Sequence, residues 1–141
     1  MPRVVPIRSK NGAEDISMAK VKQLTVSLQN QPGRIAAVAK VLADSKVSIL
    51  GILGSTAGTQ GSVQVVVDNI TEAKKALSAA QVSYEVGTLE EVELPNKSGA
   101  LAEFTARLAK RGINIDAVYG TVLKGGKKSV LFFATSKQGG A

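Results

Sequence analysis

From Gln23 to Leu28 apolar and polar residues alternate, with Leu24, Val26 and Leu28 on one side of an extended chain. A period of two predicts a half-buried strand. Pro32-Gly33 then turns the chain. From Gly33 to Ser45 the apolar residues Ile35, Val38, Ala39 and Leu42 fall at i, i+3, i+4 and i+7, the spacing of a helix with one apolar face. Lys46 to Gly54 reads as a strand through Val47, Ile49 and Ile52, and Ala57 to Gly61 as a loose hairpin. Ser62 to Val67 is a β-branched strand, and Thr71 to Ala80 a helix with Ile70, Ala73, Ala76 and Leu77 inward. Val82 to Val86 is the last strand of this set, which gives the order βαββαβ. A further strand (Glu91 to Leu94), a helix (Gly99 to Arg111, stopped by Gly112) and a hairpin (Ile113 to Val122 and Ser129 to Thr135) follow. The second set is βαββ, and the fold class is α+β, antiparallel sheets with helices on one face.

The two sets are copies. Asn30-Gln31-Pro32-Gly33-Arg34-Ile35 recurs as Asn96-Lys97-Ser98-Gly99-Ala100-Leu101. In the same register Leu42, Ala43, Val47, Ile49 and Gly54 fall on Leu108, Ala109, Ile113, Ile115 and Gly120. Self-similarity at one offset, about a small domain long, marks a tandem duplication. The expected organisation is residues 1–20 as a disordered extension without periodicity, 21–87 as the first repeat and 88–137 as a second, truncated repeat. Met18 is a candidate start. The strand at 82–86 lies a short turn from Glu91, so it can serve either sheet. Truncation would leave an apolar surface around Leu94, Phe132 and Phe133 and an open strand edge at Glu91 to Leu94, which predicts burial against a second chain, most simply a two-fold homodimer.

Composition narrows the chemistry. The 141 residues hold a hydrophobic fraction of 44%, enough for a core, but no Cys and no His. That removes disulfides, thiolate chemistry, the commonest general base and the usual zinc ligand. No close carboxylate pair sits on a site motif, so no enzyme, metal site or cofactor is expected. The net charge of +7 raises the question of nucleic acid. Its lysines are interleaved with acids such as Glu90, Glu91 and Glu93, and the one short basic cluster, Lys124 to Lys128, falls on a hairpin tip. Without a run of ~20 apolar residues or a secretory h-region, the expectation is a soluble cytoplasmic protein.

Strand, Asn30-Gln31-Pro32-Gly33-Arg34-Ile35, a helix ending Val41-Leu42-Ala43, then Val47-Ser48-Ile49 resembles the ACT domain. The second copy is similar at its far end, Leu108-Ala109-Lys110-Arg111-Gly112-Ile113-Asn114-Ile115. The resemblance covers about residues 21–135. It implies ferredoxin-like βαββαβ regulatory modules that bind amino acids or other small effectors where copies pack side by side, and often regulate an enzyme. The copies differ from each other: Ser48 stands where the second has Asn114, and Ser98 where the first has Pro32.

The residues suit such a ligand. Exposed N–H groups and the dipole at a helix start favour a carboxylate. Gly33 and Gly99 let a ligand approach the backbone, and the carboxamides of Asn30 and Asn96 can meet either end of a zwitterion. The candidate binding residues are therefore Asn30, Gln31, Pro32, Gly33, Arg34, Ile35 and Ser48, with Asn96, Lys97, Ser98, Gly99, Ala100, Leu101 and Asn114 in the second copy. Ser48 and Asn114 are expected at the same end of the sheet as the loops, completing the cage. The competing reading makes each Asn-x-x-Gly a capping turn. The function read from the sequence is a non-catalytic regulatory or sensor protein for a small effector, a free amino acid, bound at interfaces between the repeats. The alternatives are an assembly module with empty sites, or an RNA-binding ferredoxin-like domain. RNA binding would need aromatics on the central strands. Val63 to Val67 has none, and Phe132 and Phe133 must point to opposite faces.

Overall fold

In the computed structural model the described residues are 4–8, 15–122 and 125–137. Among them are β1 (Val4–Arg8), β2 (Asp15–Gln29), α1 (Arg34–Asp44), β3 (Ile49–Ala57), β4 (Gln60–Val67), α2 (Ile70–Ala79), β5 (Glu85–Pro95), α3 (Ala100–Lys110), β6 (Ile113–Val122) and β7 (Lys128–Lys137). The fold is α+β, consistent with tandem ferredoxin-like repeats, and the chain divides into two compact units.

The first unit is 22–87. Its strand order is β3-β4-β2, antiparallel throughout, with Leu24 opposite Val65 and Val26 opposite Val63. Those residues face the helices. Val38 and Leu42 of α1 and Ala73 and Leu77 of α2 close over them, and Val47, Val82 and Tyr84 pack at the margin. A bulge at Leu50 lets Gly51 oppose Val66 while Ile52 and Gly54 keep the helix face opposite Val65 and Val63. Leu50 itself is exposed.

The second unit is 88–141 together with 1–21. Its outer order is β5-β7-β6, with Val92 opposite Leu131 and Val118 opposite Phe133. One helix, α3, covers it through Ala100, Phe104 and Leu108, and Phe104 meets Phe133 edge-on at 5.3 Å. Phe132 points to the opposite face and stacks at a tilt on Tyr119, 5.4 Å between rings.

Three sequence expectations change here. Residues 1–20 are not an irregular extension where they are described: 4–8 form β1, which pairs with residues 15–19 of β2. Met18 packs on the Val92, Leu94 and Phe133 cluster, and Ala19 is buried. Residues 1–3 and 9–14 lie outside the described residues, as does Lys124 of the hairpin tip. Of the strand expected at 82–86 only 85 and 86 are strand, and they run on without a turn into the one expected at 91–94 as β5, whose first three residues belong to the first unit and the rest to the second. Finally, Leu94, Phe132 and Phe133 are each at most 4% exposed. The apolar surface expected there is closed within the chain, partly by the N-terminal strand that the sequence pattern did not reveal.

Candidate functional site

Each repeat carries the same loop between strand and helix. Gly33 (φ 88°) precedes α1 and Gly99 (φ 87°) precedes α3, both in the left-handed region and neither with a side-chain cap. Open space surrounds the position of a Cβ on either glycine. The requirement for glycine is therefore the positive φ, not crowding by a neighbour. The asparagines do not cap the helices. The Asn30 backbone N–H donates to Thr59 O at 2.9 Å and its Nδ2 to Gly58 O at 3.0 Å. Asn96 repeats this on Lys127 O at 2.9 Å and Gly126 O at 2.7 Å. Each asparagine clamps the loop to the tip of the hairpin that follows the helix.

Ser48 and Asn114 lie at the other end of their sheets. The helix reverses the chain, so the strand after it starts far from the loop and runs back toward it. Ser48 donates its backbone N–H to Asp68 Oδ1 at 2.9 Å, just beyond β4. Asn114 Nδ2 donates to Asp116 Oδ1 at 2.8 Å, and Asn114 sits opposite Ser136 near the end of β7. The expectation that both complete the cage is corrected by this geometry.

In the first repeat the loop and the hairpin border a solvent-open cavity of about 250 Å³ lined by Leu28 to Gln31, Arg34, Ile35, Gly54 to Thr56, Gly61 and Ser62. Of the candidates, the structure brings Asn30, Gln31, Arg34 and Ile35 to this wall. Pro32 and Gly33 shape the loop without lining it. Leu28 and Gln29 reach the wall from the end of β2, and Gly54 to Thr56, Gly61 and Ser62 come from the hairpin through strand register; the Gly54 and Gly120 match between repeats is the sequence signal for the latter. Arg34 Nη2 donates to Gln29 Oε1 at 3.1 Å and to Gln31 Oε1 at 3.0 Å. Two carboxamides thus hold the guanidinium on the wall, and no carboxylate lines it. The start of α1 carries no acidic residue either, so dipole and guanidinium both favour an anion.

In the second repeat Lys97 and Ser98 occupy the loop, Ala100, the first residue of α3, is buried and Leu101 is exposed. Among the described residues no group of three or more His, Cys, Asp or Glu could hold a metal ion, and no helix is long and apolar enough to cross a membrane.

Comparison with known proteins places this geometry. A family model described as an ACT domain pair matches residues 18–141. A crystal structure of a protein from Bacteroides thetaiotaomicron is similar, at 24% identity and TM-score 0.78, over 84% of this chain and 81% of that one. The ligand-free regulatory subunit of aspartate kinase from Thermus thermophilus matches at 18% identity and TM-score 0.62, over 92% and 87%. The regulatory subunit of aspartate kinase from Thermus flavus matches at 17% and TM-score 0.61, over 84% and 86%. At these identities the likeness is one of fold. No match was found among curated proteins.

Proposed function

The chain belongs to the ACT domain pair family, and we propose on that premise that it is a non-catalytic sensor of a free amino acid, bound in the cavity beside α1. The observation that carries this reading is Arg34, held by two carboxamides on the wall of a cavity without acids. With both Nη2 protons given to the carboxamides, the Nη1 and Nε protons remain to donate charge-assisted hydrogen bonds to a carboxylate. The volume is that of roughly eight waters, the scale of one small metabolite. Carbonyls and hydroxyls of the hairpin are available to its ammonium. Binding would act by favouring one arrangement of the protein over another, and its output would go to a separate enzyme in the cytoplasm.

We further propose that the working form is a homodimer. Both repeats expose the same apolar pair beside their outermost strand: Ile35 and Ile52 in the first, Leu101 and Val118 in the second, all 45–49% exposed. Val38 and Phe104, and Leu42 and Leu108, are matched positions buried in both copies, so exposure kept at the matched pair favours a protein contact. Ile35 also lines the cavity, which ties such a contact to the bound molecule. RNA binding finds no support, since Phe132 and Phe133 are buried and not available for stacking on bases. Calorimetric titration of the full chain with each of the twenty amino acids tests the reading. Heat of binding from one or a few of them, abolished in Arg34→Ala, is expected; no binding by any overturns it.

A further inference from the structure

The loops have the same backbone, yet only one is equipped for a carboxylate. In the second repeat the positions of Gln29, Gln31 and Arg34 are held by Pro95, Lys97 and Ala100. The backbone bonds are equivalent: Gln31 N–H donates to Gln29 O at 2.8 Å, and Lys97 N–H to Pro95 O at 2.9 Å. Difference in side chains, not in loop shape, therefore separates the sites. Pro95 and Ala100 offer no side-chain hydrogen bond, and Ala100 is spent in the core with Val92, Phe104 and Leu108. Lys97 is a cation, but a point charge on a flexible stem rather than a planar guanidinium.

Charge at the helix start points the same way. Where α1 has Ala37, α3 has Glu103 in its first turn. Glu103 takes up the favourable end of the helix dipole, leaving less of it for an incoming carboxylate. Arg107, one turn on, is bound to it at 2.9 Å. The hairpin floor differs too. A Cβ on Gly120 would collide with Val130 O and lie 2.8 Å from Leu131 Cα, whereas at the matching Gly54 the nearest atom is the flexible Ile35 Cδ1 at 3.4 Å. The hydroxyl of Ser62, which lines the first cavity, has Val130 as its counterpart in the second.

We propose that the pair is functionally asymmetric: each chain takes up one carboxylate-bearing effector, in the first repeat through Arg34, Gln29 and Gln31, while the loop of the second repeat binds none and serves as a structural copy. This rests on the effector reading above and adds stoichiometry and location to it. Amide NMR spectra of the full chain, recorded with each of the twenty amino acids added singly, distinguish the two. Shift changes confined to residues 29–35 and 54–62, saturating at one molecule per chain, are the expected result. Arg34→Ala should weaken that binding tenfold or more and Lys97→Ala should leave it unchanged. Equal changes at 95–101, or two molecules per chain, would overturn the asymmetry and leave the sensor reading standing. Full-strength binding by Arg34→Ala would remove the guanidinium as anchor and overturn the proposal. No change with any amino acid would sink the sensor reading itself, and this inference with it.

Discussion

Lys46 has φ 59° where its counterpart in the second repeat, Gly112, has 70°. Both follow a helix end at which the chain curls left-handed. Lys46 N–H donates to Ala43 O and Val47 N–H to Leu42 O, the paired bonds of a Schellman end. Gln81 (φ 59°) repeats the arrangement after α2, with Val82 N–H on Leu77 O at 2.8 Å. A side chain in that region costs about 1 kcal/mol. Lys46→Gly should raise stability by about that amount and Gly112→Lys lower it, as read from urea unfolding midpoints. A second residue stores a titration cost. Burial first, and then Glu93 nearby, pushes the Glu91 carboxyl above its usual 4.5. Stability from the neutral form is complete below the ordinary value and is lost as pH rises through the raised one. Glu91→Gln should therefore melt higher than the parent at pH 7, with the gain fading toward pH 4. Tyr119 is pushed up to about 12 by burial. Ultraviolet titration should show one of the two tyrosines ionising there, and Tyr119→Phe should remove that step.

The element that organises each repeat is the hairpin clamped by its asparagine. The loop before the helix and the hairpin after it are far apart in sequence, and the Asn side chain joins them across 28 residues in the first repeat and 30 in the second. Losing one such exposed bond costs about 0.5–1.5 kcal/mol. Asn30→Ala should accordingly destabilise only modestly, while speeding hydrogen exchange at the Gly58 to Gly61 tip. Asn96→Ala should do the same near Gly126. If hairpin exchange is unchanged while effector binding falls, the asparagine acts on the ligand rather than on the loop. The helices show why periodicity alone misassigns faces. Ile35 and Leu101 sit on the apolar stripes of α1 and α3, yet each is nearly half exposed. They occupy the first turn, at the margin of each packed face; Ile35 still reaches β3 at Gly54 but is covered on one side only.

At the scale of the whole molecule the N-terminal segment is a structural part of the second unit. Met18 and Ala19 help to close its core. Deleting residues 1–21 should lower the melting temperature by several degrees or more, as about 2 kcal/mol of lost burial does for a domain of this size. An unchanged melting curve would show that the strand is dispensable. The exposed pairs on the outer strands define the other test. Ile52→Asp and Val118→Asp together should shift a dimer toward monomer in sedimentation equilibrium without changing the circular dichroism spectrum.

The sequence by itself determined the duplication, the three helices and the position of the two strand-to-helix loops. Those follow from local pattern: period 3.6 against period 2, Gly at positive φ, and the repeated Asn-x-x-Gly. It also carried the absence of His and Cys that turned the reading from catalysis toward binding. Tertiary structure alone decided which residues close the second core, because the strand that does so comes from the far end of the chain and carries no periodic signal of its own. It decided that β5 is one strand shared by two units, since a single extended run can serve both without a turn. It placed Ser48 and Asn114 away from the loops, because helix direction sets which end of the next strand lies near. The setting of Arg34 was likewise invisible in one dimension: its guanidinium meets Gln29 and Gln31 only once the turn before α1 has formed.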